Sequence, residues 1–400
     1  MSKLSSSRKF RHYLLTGLGL MALTSAIHEL SLRTWLVKRL ETANLDALFA
    51  GKEWKVSPDV VVVSITDDDY QKVFGGVSPL NAQKLQGVID DILEGHPRAL
   101  GVDFDTSAWD ARAAKNKYGG QPVVWAREAL GEAGSLTMGN VLGGSEDICY
   151  GVPAYFPDED GIVREYKEFI QGKDGKYYPS LAFNLVEVAA RGREGCQGAS
   201  PTLERNQSDK PARVNFRGPK NVFDHLSIDT LTKLKKLPAG AAPPLLGKIV
   251  LLGGAYRAAR DTYPTPMRYM DGVDIIANSV DANLPGNKGL ADSPVWLYVW
   301  GYVEGVALLV GLYFVSRTWS LIILVVTGPA YALVVNWLAF QWAGAFVSFV
   351  PCFVGIVIQQ IVEHAFEYHR LRQENRELHE QLKRLPAAPA GLSTPSQPGG

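Results

Sequence analysis

The sequence predicts an α/β domain with a largely parallel sheet, combined with a bundle of four transmembrane helices and a short C-terminal coiled-coil helix. Three observations support this prediction. Strand-like runs rich in β-branched residues alternate with helical patterns through the middle of the chain. Four apolar runs, one before this region and three after it, approach the length that crosses a bilayer. Leucines then repeat at heptad spacing beyond the last apolar run.

Three strands are predicted in the middle region. They are Val60–Ile65 (VVVVSI), Leu100–Phe104 (LGVDF) and Lys248–Leu252 (KIVLL). Between the first two, Ala82–Leu93 has apolar residues at helical spacing, and a further helix is predicted near Ser180–Arg191. Strands that alternate with helices indicate βαβ units, in which helices cover both faces of a mainly parallel sheet.

Acidic side chains follow these strands. In parallel sheets, binding sites gather beyond the carboxyl ends of the strands, so these acids are expected to meet if the three strands are neighbours. Such a cluster suits a cation or another polar ligand. The alternative is that the carboxylates cap helix N-termini and brace loops. The candidate ligand-binding residues are Asp67, Asp68, Asp103, Asp105, Asp261 and Thr265.

Four apolar runs are predicted to span a membrane: Tyr13–Ile27, Val295–Val315, Leu321–Phe340 and Ala345–Val362. Basic residues precede the first run and follow the last, which predicts that both chain ends are cytoplasmic and the middle region is not. The first run also fits a cleaved signal peptide. Glu304, an acid within the second span, is expected to be either a coupling site or a buried hydrogen-bonding group.

The predicted organisation follows from these spans. It comprises residues 1–12 as the cytoplasmic N-terminus, 13–30 as the first transmembrane helix, 31–293 as the extracytoplasmic domain, 294–315, 320–340 and 344–362 as three further transmembrane helices, 363–385 as a cytoplasmic coiled-coil helix and 386–400 as a disordered tail.

Composition excludes several classes of function. The 41 basic and 41 acidic residues balance, so no nucleic-acid partner is predicted. The chain has no Walker motif, no GxGxxG and no zinc spacing, so neither a cofactor nor a metal is expected. Cys149 and Cys196 can pair if the middle domain faces an oxidising compartment, or remain two free thiols.

The C-terminal helix carries a heptad pattern. Tyr368, Asn375 and Leu382 fall at a positions, while the d positions are Leu371, Leu378 and Leu385. A polar Asn at an a position favours a parallel dimer in one register, so a homodimer is predicted through Leu371, Asn375, Leu378, Leu382 and Leu385. The alternative is a single solvated helix.

Three blocks carry a resemblance to a known family. Val60–Asp69 (VVVVSITDDD), Ala99–Asp105 (ALGVDFD) and Gly247–Leu284 resemble the type-two CHASE domain, an extracellular sensor of bacterial receptors. The resemblance extends over about residues 10–365 and implies a multi-pass protein of the bacterial inner membrane with a periplasmic sensor. Tyr70 departs from the family, which often has Ser or Thr there. Residues 363–400 are too few for the kinase or cyclase that normally follows.

These observations predict a membrane-bound signal sensor that binds an unknown extracytoplasmic ligand, contacts membrane lipid and acts on a separate cytoplasmic kinase, cyclase or other effector. The alternative is a structural or assembly subunit of a membrane complex. No catalytic role is predicted. Asp103 to Ser107 (DFDTS) is similar to the nucleophile motif of haloacid-dehalogenase-like phosphatases, but the downstream acidic pair needed for Mg²⁺ is not evident.

Overall fold

The computed structural model contains an α/β unit and a helical unit. The α/β unit comprises Thr42–Asp292 and Trp337–Phe346, and the helical unit comprises Met1–Glu41, Ser293–Asn336 and Val347–Gly400. The structure describes residues 2–29, 35–51, 56–131, 136–144, 148–153, 155–204, 207–234, 244–285, 287, 295–315, 319, 334, 337–338, 340–341 and 350–384.

The described helices and strands are numbered in chain order. The strands are β1 Val60–Ile65, β2 Ala99–Asp103, β3 Val123–Ala126, β4 Ala129–Leu130, β5 Thr137–Met138, β6 Tyr150–Gly151, β7 Tyr155–Pro157, β8 Val163–Lys167, β9 Phe169–Gln171, β10 Tyr177–Pro179, β11 Pro211–Arg213, β12 Asp224–Leu226, β13 Ile249–Gly254, β14 Thr262–Thr265 and β15 Arg268–Asp271. The helices are α1 Ser2–Glu29, α2 Trp35–Ala50, α3 Asp67–Lys72, α4 Ala82–Glu94, α5 Ala111–Tyr118, α6 Leu181–Arg191, α7 Ile228–Leu234, α8 Gly272–Asn283, α9 Val295–Tyr313 and α10 Val350–Arg384.

A six-stranded parallel sheet forms the centre of the α/β unit, in the order β12-β1-β13-β2-β3-β6. The three strands predicted from the sequence are adjacent, because β13 lies between β1 and β2. Ile249 is paired with Val60 on one side and with Ala99 on the other. Every residue of β1 and β13 is buried, as expected for continuous β-branched and aliphatic runs in a parallel sheet. The predicted α/β domain with a parallel sheet is confirmed.

Helices cover both faces of the sheet. One set of alternating strand side chains packs against α4, α5 and α7, and the opposite set packs against α6 and α8. Helix α4 forms where it was predicted, since the Asn81 side chain accepts a hydrogen bond from the Lys84 N–H at 3.1 Å and Gly95 ends the helix. Helix α6 follows Ser180, which caps it in the same way.

The last helix of the α/β unit, α8, is buried and has a polar stripe. Two acids of this helix, and Asp271 just before it, are matched by side chains from β12 and from the segment that precedes β12. Asp271 pairs with Lys220 at 2.6 Å, Asp274 with His225 at 2.9 Å, and Asp281 with Arg217. The Arg217 N–H also donates to Asn278 at 2.8 Å. These pairs hold the segment from residue 217 to residue 225 against α8.

A second buried ion-pair cluster fixes α2 to the same unit. The Arg164 guanidinium on β8 contacts both carboxylate oxygens of Asp46 on α2, at 2.9 and 2.7 Å. It also bonds to Asp158 and Asp160 in the turn before β8. Bidentate contacts of this kind impose a fixed orientation on both partners.

In the helical unit, α1 packs against α9 and α10 through Met21, Leu309 and Ile356. Where α1 crosses α10, the buried Gln359 donates to the Tyr13 carbonyl oxygen at 2.7 Å. The adjacent Gln360 donates to the Tyr13 hydroxyl at 2.6 Å. Two polar contacts therefore converge on one residue of α1.

The predicted bundle of four transmembrane helices is wrong as a description of the structure. No helix in the described part of the chain combines the length and apolarity needed to cross a membrane. In α1, the apolar run Tyr13–Ile27 is bounded by Arg11 and His12 on one side and by Glu29 on the other. In α10 the apolar run ends at Val362, immediately before a glutamate. The predicted span 320–340 lies almost wholly outside the described residues.

We expect the buried pair between Arg217 and Asp281 to be essential for stability. Arg217→Met leaves Asp281 buried without its charged partner, which is expected to lower the free energy of unfolding by about 3–5 kcal/mol. Urea unfolding followed by circular dichroism measures this loss. Lys72→Met is the matched control, since its ion pair with Asp68 is exposed and is expected to contribute little to stability. Equal losses in both variants would contradict the prediction.

Candidate functional site

The carboxyl ends of β1, β13 and β2 meet at one edge of the sheet. Ser64 is paired with Gly253, and Gly253 is paired with Asp103. Asp103, the last residue of β2, therefore lies one strand away from β13. The chain leaving β13 continues through a short 3₁₀ helix, Arg257–Ala259, to Asp261 and β14.

Asp103 and Asp261 form the charged centre of this edge. Burial, followed by the charge of Asp261, raises the pKa of the Asp103 carboxyl to about 8. Burial also raises the pKa of Asp261, although hydrogen bonds from Tyr155 and Tyr263 oppose that shift. Among the described residues, no hydrogen bond or ion pair reaches the Asp103 carboxylate. The two acids thus influence each other without a basic side chain at Asp103.

Tyrosines surround the acid pair. The Tyr155 hydroxyl donates to an Asp261 carboxylate oxygen at 3.2 Å. The ring of Tyr155 meets that of Tyr263 edge to face, with centroids 4.7 Å apart. Burial, and then the charges of Asp261 and Asp103, raise the pKa of the Tyr155 hydroxyl well above its usual value. Tyr155 therefore remains protonated and acts as a hydrogen-bond donor to the acid.

The N-terminus of α8 closes against this group. The Gly272 N–H donates to the Asp261 backbone carbonyl at 2.8 Å. A Cβ atom at Gly272 would lie 2.3 Å from one Asp261 carboxylate oxygen and 2.4 Å from the Tyr155 hydroxyl. Only glycine fits this close approach. The acid, the tyrosine and the first residue of α8 are thus in direct contact.

Three of the predicted site residues have local structural roles. Asp67 accepts a hydrogen bond from the Arg257 N–H at 2.9 Å, Asp68 pairs with Lys72, and Asp105 accepts from the Ser107 N–H at 2.9 Å. Helix capping and loop bracing were the alternative expected for these acids. Their ligand-binding role stays a prediction.

The residues next to the acids that follow β1 also have structural roles. Thr66 and Asp69 form a reciprocal capping box at the start of α3. Tyr70, the residue that departs from the family pattern, stacks on Tyr256 with ring centroids 4.5 Å apart and donates to the Gly76 carbonyl at 2.8 Å. The acidic stretch after β1 is therefore largely the beginning of a helix.

Thr265 has its hydrogen bonds in the turn between β14 and β15. Its hydroxyl donates to the Arg268 carbonyl oxygen at 2.6 Å and accepts from the Met267 N–H at 3.2 Å. These contacts close the hairpin that leads into α8. A ligand-binding role for Thr265 remains a prediction.

Sequence reasoning missed Tyr155, Tyr263 and Gly272. Tyr263 and Gly272 lie within the block Gly247–Leu284, but the motif gave no reason to single them out. Tyr155 comes from β7, a strand of three residues that is not among the strands predicted from the sequence. No periodic pattern indicates that it approaches Asp261 from 106 residues away along the chain.

The two cysteines of the α/β unit form a disulfide. Cys149, next to β6, is bonded to Cys196, which follows α6, and their Cα atoms are 5.6 Å apart. Of the two expectations drawn from the sequence, pairing is the one observed. Disulfides of this kind are typical of proteins in oxidising compartments.

The remaining predicted site residues lie in the helical unit. Leu371, Asn375 and Leu378 are exposed on α10. The side chains of Glu304 and Leu382, and the whole of Leu385, lie outside the described part of the structure. The coupling role of Glu304 therefore stays a prediction.

The described side chains offer no metal site of the usual kind. No group of three or more His, Cys, Asp and Glu residues among them is placed to hold a metal ion.

Comparison with known proteins gives one match. A family model described as the CHASE2 domain matches residues 19–318. No curated protein and no solved structure matches the chain. The resemblance drawn from the three sequence blocks is therefore confirmed at the level of the family.

We expect the stability of the protein to depend on pH through Asp103. Its pKa is about 8 in the folded chain and 3.8 as the reference value, so between these values the folded state binds more protons. This contribution to stability is complete below pH 3.8 and is lost as the pH rises through 8. Asp103→Asn is expected to lose this dependence and to melt at a higher temperature than the wild type at pH 9.

Melting curves from pH 5 to pH 9 test the Asp103 prediction. Asp105→Asn removes a charge from the exposed loop nearby and controls for the change in net charge. A difference between Asp103→Asn and the wild type that stays constant over this range would show that Asp103 does not titrate there.

We expect Gly272→Ala to disrupt the contact between α8 and the acid pair. The added Cβ overlaps both Asp261 and Tyr155, and overpacking of this kind costs about 1–3 kcal/mol. Gly87→Ala makes the same substitution within α4, where a Cβ meets nothing within 4 Å, and is expected to stabilise by about 0.5–1 kcal/mol. Denaturant unfolding of both variants measures the two effects, and a gain in stability for Gly272→Ala would refute the packing argument.

Proposed function

The chain belongs to the CHASE2 family, whose domains are extracellular sensor domains, and we propose that its α/β unit senses a small organic cation bound beside Asp103 and Asp261. The observation that carries this proposal is the acid pair at the carboxyl edge of the sheet, where no basic side chain of the described chain reaches Asp103. Sites at this edge are usual for parallel α/β sheets.

Charge is the first argument for a cationic ligand. Burial and the charge of Asp261 both raise the free energy of ionising the Asp103 carboxyl. A cation between them would offset this repulsion and replace the proton that Asp103 otherwise holds. Binding is therefore expected to release a proton and to strengthen as the pH rises through about 8.

The tyrosines are the argument for an organic cation. Tyr155 and Tyr263 lie against Asp261, and Tyr256 is close enough for the charge of Asp261 to raise its pKa, after the larger effect of burial. Aromatic rings beside carboxylates suit ammonium groups with attached carbon. A ligand with a primary or quaternary amine fits this chemistry better than an anion does.

We propose that helix α8 transmits the effect of ligand binding away from the site. Its first residue contacts the acid pair, and its length of 12 residues corresponds to about 18 Å of rigid helix. The ion pairs with Lys220, His225 and Arg217 oppose bending or rotation of this helix by itself. A displacement at Gly272 would thus be carried to Asn283. We propose that a separate effector, such as a kinase or a cyclase, responds to that change.

The location of the sensor outside the cytoplasm is part of this proposal. The disulfide between Cys149 and Cys196 supports it, because such bonds persist in oxidising compartments.

We expect putrescine or choline to raise the melting temperature of the full chain, and glutarate to have no such effect. The expected increase is larger at pH 9 than at pH 6, because the cation competes with the Asp103 proton. Differential scanning fluorimetry gives the shifts, and isothermal calorimetry in two buffers gives the proton release. Asp103→Asn is expected to abolish the response.

Asp105→Asn is the matched control for this measurement and is expected to respond as the wild type does. A response retained in Asp103→Asn, or stabilisation by glutarate alone, would refute the cation site. A partner protein that co-purifies in the same amount with and without cation would favour the assembly-subunit alternative.

A further inference from the structure

The C-terminal half of α10 is largely exposed, although its residues up to Leu371 line a cavity together with residues of α1 and α9. The helix is 35 residues long, about 52 Å. Gln359 and Gln360 are buried, whereas almost every described side chain from Ile361 onward is exposed. A helical segment of this length is marginal in water without a packing partner. Its apolar side chains therefore decide what it can bind.

Most of the exposed apolar residues on this segment fall on one face. Ile361, Tyr368, Leu371 and Leu378 are separated by seven, three and seven residues, which is the a and d pattern of a coiled coil. Their exposed fractions range from 48% to 61%. Asn375 continues the a positions and is also exposed. This face, defined by these five residues, is called the α10 seam.

The charges beside the α10 seam identify its partner. The g positions flanking it are Glu367 and Glu374, and the e positions are Arg372 and His379. In a parallel pair of identical helices, each g residue faces the e residue five positions later on the other helix. Glu367 then faces Arg372, and Glu374 faces His379. In an antiparallel pair, acids face acids and bases face bases.

We propose that the α10 seam binds the same seam of a second copy of this chain, as a parallel coiled coil in register. Arg370 bridges Glu367 and Glu374 within one chain, at 3.9 and 3.4 Å, but Arg372 has no ion-pair partner within the described chain. The second copy supplies one. Asn375 at an a position fixes the register and the two-stranded state, because its side chain is best satisfied by its own counterpart.

Disulfide cross-linking of the full chain tests this arrangement. Leu371→Cys and Leu378→Cys are each introduced with Cys352→Ala, which leaves Cys149 and Cys196 in their own bond. In a parallel dimer in register, both positions meet their counterparts within disulfide reach. An antiparallel pair can bring at most one position onto itself. Glu380→Cys, at the outward f position, is the matched control.

We expect covalent dimers from Leu371→Cys and Leu378→Cys under mild oxidation and little from Glu380→Cys. Absence of dimers at positions 371 and 378, or equal yields at all three positions, would overturn the proposal. Cation binding measured on the same variants is expected to be unchanged, so failure here is distinguishable from failure of the proposed function.

Charge reversal provides a second, independent test of the parallel pairing. Glu367→Lys places like charges at both symmetry-related contacts and is expected to lower the dimer yield of Leu371→Cys by roughly two- to fivefold. Adding Arg372→Glu is expected to restore it. Residues five apart do not meet on one helix, so rescue requires a contact between chains. Failure of the double variant to recover, with helicity intact by circular dichroism, would exclude the parallel pairing.

Discussion

Burial of carboxyl groups around α8 is the constraint on which the rest of the α/β unit depends. Removing a charged carboxylate from water costs several kcal/mol unless a partner offsets it. Along and just before α8, Asp271 and Asp281 each have a charged partner, and Asp274 is hydrogen-bonded to His225. At the adjoining sheet edge, Asp103 has none in the described chain, and a raised pKa is the result. The fold thus balances charge along the helix and leaves it unbalanced at the end that meets the sheet.

Acids with a partner and acids without one therefore have different roles in the structure. The paired acids fix where α8 lies, because losing either partner leaves a buried charge. The acid pair at the sheet edge is the part that we propose to respond to a ligand, because a cation would relieve the same repulsion as a proton does. Gly272 joins the two groups, since its missing side chain lets Asp261 and Tyr155 reach the helix backbone. A sensor needs both a stable frame and a site whose charge can change. The paired acids of α8, after Gly272, belong to the frame, and the acid pair at the sheet edge, before Gly272, is the proposed site.

Local signals in the sequence predict the frame well and the site only in part. The strands β1, β2 and β13 are largely apolar runs, so their existence follows from the rules for parallel sheets, whereas their adjacency is seen only in the structure. The acids after β1 lie where Thr66 and Asp69 begin a helix, a capping box visible in the sequence, and their ligand-binding role stays a prediction. Tyr155 cannot be found in this way, because its approach to Asp261 depends on the packing of distant short strands.

The prediction of four transmembrane helices is wrong for a different reason. Apolar runs indicate burial, but they do not specify what buries them. In the helical unit, Met21, Leu309 and Ile356 bury one another, and Gln359 makes its hydrogen bond to Tyr13 within the same packing.

Exchange of a proton for a cation has a consequence for how a signal could leave the site. The exchange alters the net charge of the acid pair and its ligand very little, so long-range electrostatics would carry little information. A ligand shifts an equilibrium only through contacts that differ between two states. Asp261 contacts both Tyr155 and the backbone of Gly272, so a cation that draws the carboxylate toward Asp103 must change its contact with α8. The signal would then be mechanical, and the absence of a side chain at residue 272 is what makes the helix sensitive to it.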